Sequence, residues 1–345
     1  MGDFFLIKRG IMPIRIAFTG TGSISKVHAR AAQAQQDVEL AAVVNHRPES
    51  RLEFARVFDI PRQYETIEAM IAGGGVDLVV ISTPNYLHAS QTIAALEAGI
   101  HVMVEKPMAK NAAEAERMVE ASQKSGAKLM VAHNFRFDPE VLWLKSQVGI
   151  IGKIIRTKGY GVHVRWGPAG WFTEKQYAGA GALADVGVHA IDTTRFLLGD
   201  PNPVSVYAKI GTFYRDYDLD DTGILIVEWE NGTISYIESG WWQPHSDGPM
   251  AAVQLYGTNG FGQIFPSRVE VYQPGTDGVE TLEPGLEFPR AQHARQEMYD
   301  SQLTYFIDCI QSDRDPVPGG NEGLVNMRII DAAYVSSRIG KVIYI

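Results

Sequence analysis

Ile16-Ala17-Phe18-Thr19-Gly20-Thr21-Gly22-Ser23-Ile24-Ser25 is the stretch that decides the fold of this chain. An aliphatic run that reads as a buried strand passes within one turn into glycines at 20 and 22, and then into helical spacing. Gly20 provides the tight turn, and Gly22 lets the backbone approach a pyrophosphate closely. With Ser23 and Ile24, the start of the helix aims unpaired N–H groups and its positive dipole end at the anion. Ser25 stands where a third glycine is usual, a position whose task is close helix–strand packing. A glycine-rich turn can also be a plain strand-to-helix connection. Here it opens a series of βαβ units, which is the context that makes it a dinucleotide site.

Working outward, Ile14–Phe18, Val38–Val44, Leu78–Ile81, His101–Val104 and Leu129–Ala132 read as buried parallel strands. Helical spacing fills Ile24–Gln35, Arg51–Phe58, Leu87–Ala98 and Ala112–Ser125. Strict alternation implies right-handed crossovers and a doubly wound α/β sheet over residues 13–135. Beyond Asn134 the alternation stops. A helix over Pro139–Gln147 leads to a strand over Ile154–His163, a Gly/Trp-rich stretch (Trp166–Gly181) and a helix at about Ala184–Leu198. Strand patterns then follow one another from Val204 to Tyr272, split by turns such as Glu230-Asn231-Gly232, which predicts a large, mostly antiparallel sheet. Helices over Glu297–Gln311 and Gly323–Ile339 close the chain. The expected division is an extension (residues 1–12), a cofactor domain (13–135), and a substrate-binding and oligomerisation α+β domain (136–345).

Composition narrows the function. The 345 residues are 45% hydrophobic and 21% charged, enough for two cores. A net charge of −9 leaves no basic stripe for nucleic acid, and no apolar run is long enough for a membrane span. The lone cysteine, Cys309, fits a reducing cytosol and a cytoplasmic protein. No zinc-like histidine spacing exists, so no metal is expected.

The second strand ends Val44-Asn45-His46-Arg47, with Arg51 a turn further on. An NAD-selective site usually puts a carboxylate here for the ribose 2′-OH. Asn45 and two arginines suit a 2′-phosphate instead, so NADP is favoured over NAD. Lys106 in Glu105-Lys106-Pro107 leaves the carboxyl end of the fifth strand, where ligands of such sheets bind. Asp185 and His189 stand four apart, a spacing that stacks them on one helical face. Gly187 between them costs about 1 kcal/mol in a helix, which signals close packing. Histidine is the natural proton acceptor when an alcohol loses hydride. Trp166, Trp171, Phe172, Trp241 and Trp242 are candidates to stack on a sugar, and equally candidates for core.

With these residues assembled, the chain from Pro13 to about Ile339 resembles the glucose–fructose oxidoreductase/inositol dehydrogenase/MocA family. The marks are Gly20-Thr21-Gly22, Thr83-Pro84-Asn85-Tyr86-Leu87-His88, Glu105-Lys106-Pro107, Asn134-Phe135-Arg136-Phe137 and Gly181–Asp192 in that order. The resemblance implies a Rossmann domain, an open α/β domain whose sheet face builds homodimers or homotetramers, and reversible NAD(P)-dependent oxidation of a sugar or polyol hydroxyl. By position it makes Lys106, Asp185 and His189 the catalytic set. It assigns Thr83, Pro84, Asn85, His88 and Glu105 to the cofactor's adenosine and ribose, beside Gly20, Gly22, Ser23, Ile24, Asn45, His46 and Arg47. Asn134, Arg136, His163, Trp166 and Trp171 are the expected substrate contacts, and Lys106-Pro107 is expected to be cis. Two rivals remain within this resemblance, a cofactor-dependent sensor and a glycoside-cleaving enzyme with transiently reduced cofactor. The intact Lys106/Asp185/His189 set argues against a sensor.

Overall fold

The structure is a computed structural model describing residues 13–273, 275, 278–286 and 295–345. The expected extension over residues 1–12 lies outside the described residues. The first sheet contains β1 (Ile14–Thr19), β2 (Val38–Val44), β3 (Arg62–Tyr64), β4 (Leu78–Ile81), β5 (His101–Val104) and β6 (Leu129–Val131). They run parallel in the order β3-β2-β1-β4-β5-β6. The order reverses between β1 and β4, and the crevice beyond their carboxyl ends is where such sheets bind ligands. Three of the marked segments leave the sheet there: the glycine turn after β1, Ser82–Asn85 after β4, and Glu105–Pro107 after β5. Residues of β4 are all buried, as the unbroken aliphatic run implied. The short β3 and the helix Ile67–Gly73 carry no apolar run or long period, and the sequence reading had passed over both.

Among the described residues the second sheet has nine strands. These are β7 (Ile154–Val164), β8 (Pro203–Gly211), β9 (Thr222–Trp229), β10 (Ile234–Gln243), β11 (Ala252–Gly257), β12 (Gly260–Gln263), β13 (Arg268–Tyr272), β14 (Val279–Leu282) and β15 (Ile343–Tyr344). Their order is β14-β13-β12-β11-β7-β10-β9-β8-β15. Only β7 and β10 pair parallel, so the sheet is mostly antiparallel as expected. One face of this sheet packs on the helix Val188–Leu197. Added at Gly161 of β7, a Cβ would lie 2.6 Å from the Gly187 Cα, so the backbones meet with no room for a side chain.

The closing helices tie the halves together. Gln296–Gln311 buries Leu303, Phe306 and Cys309 in one core with Phe18, Val80 and Met103 of the first sheet. Gly320–Ile339 puts Met327 and Ile330 in a core shared by Val102 and Val131 of the first sheet and Val206 and Leu225 of the second. The helix carrying His189 contributes Val188 and Ile191 to that same shared core. It packs on the second sheet and joins the core of the first by way of the closing helix Gly320–Ile339.

Candidate active site

Gly20 adopts φ +89°, and a Cβ there would lie 2.6 Å from the Ser82 carbonyl oxygen. Both facts demand glycine. Gly22 has open space where a Cβ would point, the cradle into which a pyrophosphate would press. The helix Ser23–Gln33 starts with no side chain capping it, so its first N–H groups face that cradle. Ser25 is fully buried and donates its hydroxyl to the Gly20 carbonyl at 2.8 Å. In place of a third glycine, it staples the turn to the helix.

At the end of β2, the Asn45 amide donates to Thr21 Oγ1 at 2.7 Å and its carbonyl oxygen accepts from the Arg47 N–H at 2.8 Å. Arg51 donates to the Asn45 main-chain oxygen at 2.6 Å. His46 and Arg47 are exposed beside it, and the Arg47 guanidinium has no ion pair among the described residues. Across the crevice, Thr83 donates its hydroxyl to Gln91 at 2.8 Å. Pro84 leads into the short turn Asn85–Leu87. The Asn85 amide reaches the Ala178 carbonyl of the second domain at 3.0 Å.

Two assignments to the cofactor are redirected by the geometry. His88 is buried, with Nδ1 2.9 Å from the Pro107 oxygen and Nε2 2.8 Å from the Thr83 oxygen. Set between two main-chain carbonyls, His88 ties the loop after β4 to the loop after β5. Glu105 is also buried. One carboxylate oxygen lies 2.7 Å from His28 Nε2 and the other accepts the Lys106 N–H at 3.1 Å. Burial would raise its pKa, but His28 and Lys106 outweigh burial and hold the carboxyl below its usual range.

The Lys106–Pro107 peptide is cis, as the resemblance implied. Lys106 Nζ donates to the Asp185 carbonyl oxygen at 2.8 Å and lies 3.2 Å from its carboxylate. The other Asp185 carboxylate oxygen accepts from Trp241 Nε1 at 3.0 Å. Here the helical expectation needs correcting. Leu183–Gly187 forms a π-helical turn, bonded i→i+5, before the α-helix begins at Val188. Within this turn Asp185 bonds to Lys106 and Trp241, and among the described residues no hydrogen bond joins it to His189. Asp220 anchors this turn, accepting the N–H groups of Gly181 and Leu183 at 2.9 and 2.8 Å. Gly187 is packed as its cost implied: a Cβ there would lie 2.8 Å from Ser239.

His189 is 7% exposed, with Phe135 edge-on at 5.0 Å between ring centres. Its ring nitrogens make no hydrogen bond among the described residues. Burial, then the positive charge of Lys106, then His133 press its pKa well below the ordinary 6.5. A neutral imidazole beside an ammonium group is what results.

Among the expected substrate contacts, Arg136 is the clear correction. Its guanidinium is buried and bonded through two nitrogens to Asp192, both at 2.8 Å, and to Asp200 at 2.7 and 3.0 Å. Burial opposes its charge, yet the two carboxylates keep it firmly protonated, and nothing is left for a ligand. Asn134 is buried without a side-chain hydrogen bond among the described residues. His163 lies edge-on to Trp166 at 4.5 Å, and its charge weighs on His189. Trp166 is 52% exposed, and Trp171 stacks on Phe172 at 3.8 Å. Of the two readings open for Trp241, sugar stacking and core, burial selects the core, while Trp242 lies under the Arg215 guanidinium at 4.2 Å. The sequence reading missed His28, Asp192 and Asp220, because each is defined by partners 37 or more residues away. Among the described residues no three His, Cys, Asp or Glu side chains are grouped to hold a metal.

A dinucleotide cradle at a strand-order reversal, facing an ammonium and a neutral imidazole, defines a nicotinamide-type oxidoreductase as the class. The profile described as "Oxidoreductase family, NAD-binding Rossmann fold" matches residues 14–133, and the GFO/IDH/MocA C-terminal domain matches residues 146–261. D-glucoside 3-dehydrogenase of Escherichia coli (strain K12) is 28% identical over 95% of this chain and 96% of its own length. Inositol 2-dehydrogenase of Rhizobium meliloti (strain 1021) is 27% identical over 93% of this chain and 96% of its own. The crystal structure of aldose-aldose oxidoreductase from Caulobacter crescentus complexed with glycerol superposes with TM-score 0.83 at 26% identity, covering 96% of this chain and all of that one. The chain belongs to the GFO/IDH/MocA family of oxidoreductases.

Proposed function

We propose that the protein transfers hydride between NAD(P) and a hydroxyl-bearing carbon of a sugar or polyol. The observation that carries this reading is the meeting of Lys106, from the first sheet, with Asp185, from the turn leading to His189, at 2.8 to 3.2 Å. Residues 13–135 would hold the cofactor, and residues 136–345 the substrate and a partner copy. When bound, the nicotinamide supplies the hydride acceptor or donor. The neutral His189 takes the hydroxyl proton in the oxidative direction and returns it in the reductive one. Lys106 donates a hydrogen bond to the same oxygen and stabilises its developing negative charge. Asp185 holds the ammonium in place through its carboxylate and its main-chain oxygen. Asn134, His163 and Trp166 line the approach for the polyol.

We favour NADP, because Asn45 replaces a carboxylate that would repel the 2′-phosphate and the exposed Arg47 can pair with it. A homo-oligomer built on the outer face of the second sheet is supported by exposed Tyr207, Ile224, Ile226 and Ile234 on β8, β9 and β10, where Tyr207 stands opposite Ile226. A cytoplasmic setting rests on the lone buried thiol of Cys309. The test is a panel of sugars, polyols and sugar phosphates followed at the nicotinamide absorbance band with each cofactor, alongside light scattering. Turnover of a polyol with NADP is expected. Absence of turnover across the panel, with cofactor bound, would overturn the catalytic reading in favour of a sensor.

A further inference from the structure

We propose that His28 is a positioning residue for the reaction: through Glu105 it sets the direction in which Lys106 leaves β5. This rests on the reading of Lys106 as the group that binds the reacting oxygen. His28 lies on Ser23–Gln33, the helix whose first turn faces the phosphate cradle, and is 1% exposed. Its Nε2 meets Glu105 Oε1 at 2.7 Å in a contact where neither side chain is more than 10% exposed. Glu105 Oε2 then accepts the main-chain N–H of Lys106 at 3.1 Å. The Tyr299 ring stands edge-on to His28 at 5.3 Å and closes the far side.

The geometry gives this chain a direction. Lys106 Nζ ends on Asp185, so the lysine is fixed at its tip by the second domain and at its backbone by Glu105. Among the described residues Glu105, in turn, has His28 as its one side-chain partner. Without that partner a buried carboxylate is left half-satisfied and must turn or take up a proton. Turning releases the Lys106 N–H, and protonation weakens the bond it makes, so the backbone that aims Nζ can drift. The phosphate-loop helix and the catalytic lysine are thus parts of one hydrogen-bonded unit, spanning 77 residues of sequence.

The test compares His28→Ala with His28→Gln, whose side-chain amide can stand in for Nε2–H. Three readouts are taken: kcat and KM on the substrate found in the panel, cofactor affinity by fluorescence titration, and the rate at which acetic anhydride labels Lys106, read by peptide mass spectrometry. His28→Ala is expected to lower kcat by about 10- to 100-fold, the order that small misplacements cost, with KM and cofactor affinity changed less than about threefold on the scale where 1.4 kcal/mol is tenfold. Lys106 labelling should rise severalfold, and His28→Gln should bring both back toward wild type. Wild-type kcat and labelling in His28→Ala would overturn the proposal. So would a loss shared equally by kcat and cofactor affinity and not rescued by glutamine, which marks a merely structural residue. If no substrate turns over, the labelling arm still decides the proposal, since it needs no reaction. Should His28→Ala not fold, Glu105→Ala, which removes the acceptor of the Lys106 N–H, takes its place in the same labelling assay, with wild-type Lys106 labelling again the overturning result.

Discussion

The glycine turn after β1 and the π-helical turn before His189 both position chemistry, but they are built in opposite ways. The first is set chiefly by local devices, Gly20 at φ +89° and the Ser25 hydroxyl on the Gly20 oxygen within six residues, with Asn45 and Ser82 closing in from the neighbouring strand ends. The second is held from outside. Asp220 takes its first N–H groups, Trp241 and Lys106 take the Asp185 carboxylate, and β7 and β10 come so close that Gly161 and Gly187 are both required. Local devices survive removal of distant partners, and imported ones do not. Substitutions should therefore separate the two regions.

The largest effect is expected behind the imported turn. Asp192, on the helix that carries His189, forms a buried pair with Arg136 of the Asn134–Phe137 turn, and removing one partner of such a pair costs about 3–5 kcal/mol. Arg136→Met should lower stability in urea by that order, and a loss under about 1 kcal/mol would mean the pair is dispensable. Next come the reacting groups. His189→Ala and Lys106→Ala should each cut kcat at least about a hundredfold, and the double variant should be hardly worse than either single one. Near wild-type turnover in His189→Ala would leave Lys106 alone as the acid–base.

The locally set turn should respond more mildly and more locally. Gly20→Ala forces a side chain into the left-handed region against Ser82, worth about 1–3 kcal/mol. It should weaken cofactor binding while leaving Lys106 labelling unchanged. Smaller still, Asn45→Asp with Arg47→Ala should reduce NADP affinity about tenfold and shift preference toward NAD. Tighter NAD than NADP binding by the wild type removes the premise.

Acidity makes the finest distinction. Burial lowers the pKa of His88, His133 and His189 in the fold. Below the unfolded value of about 6.5, the unfolded chain binds protons that these rings refuse. Stability should thus fall as pH drops through that region and be indifferent to them above it. The acid limb of kcat in the oxidative direction should lie below 6.5, because His189 stays neutral there. A limb at or above 6.5 would assign it to another group.

Much of the first half was legible in order: strands Val38–Val44, Leu78–Ile81 and His101–Val104 stand where the aliphatic runs put them. Their side chains are buried on both faces, so composition alone marks them. The polar β3 gave no such mark. In the site, Lys106, Asp185 and His189 were legible as residues, but their partners were not. An i,i+4 spacing assumes an α-helix, and nothing local in Leu183–Gly187 announces a π turn.

By itself the sequence determined the glycine turn, the doubly wound sheet, the mostly antiparallel second sheet and the oxidoreductase family, because each is written in short-range periodicity or in ordered motifs. Tertiary structure decided what the polar side chains do: Arg136 to Asp192, Glu105 to His28, His88 to two carbonyls, Asp185 to Lys106 and Trp241. A buried donor or acceptor must find its partner wherever the fold brings one within about 3 Å, and that partner need have no fixed distance along the chain.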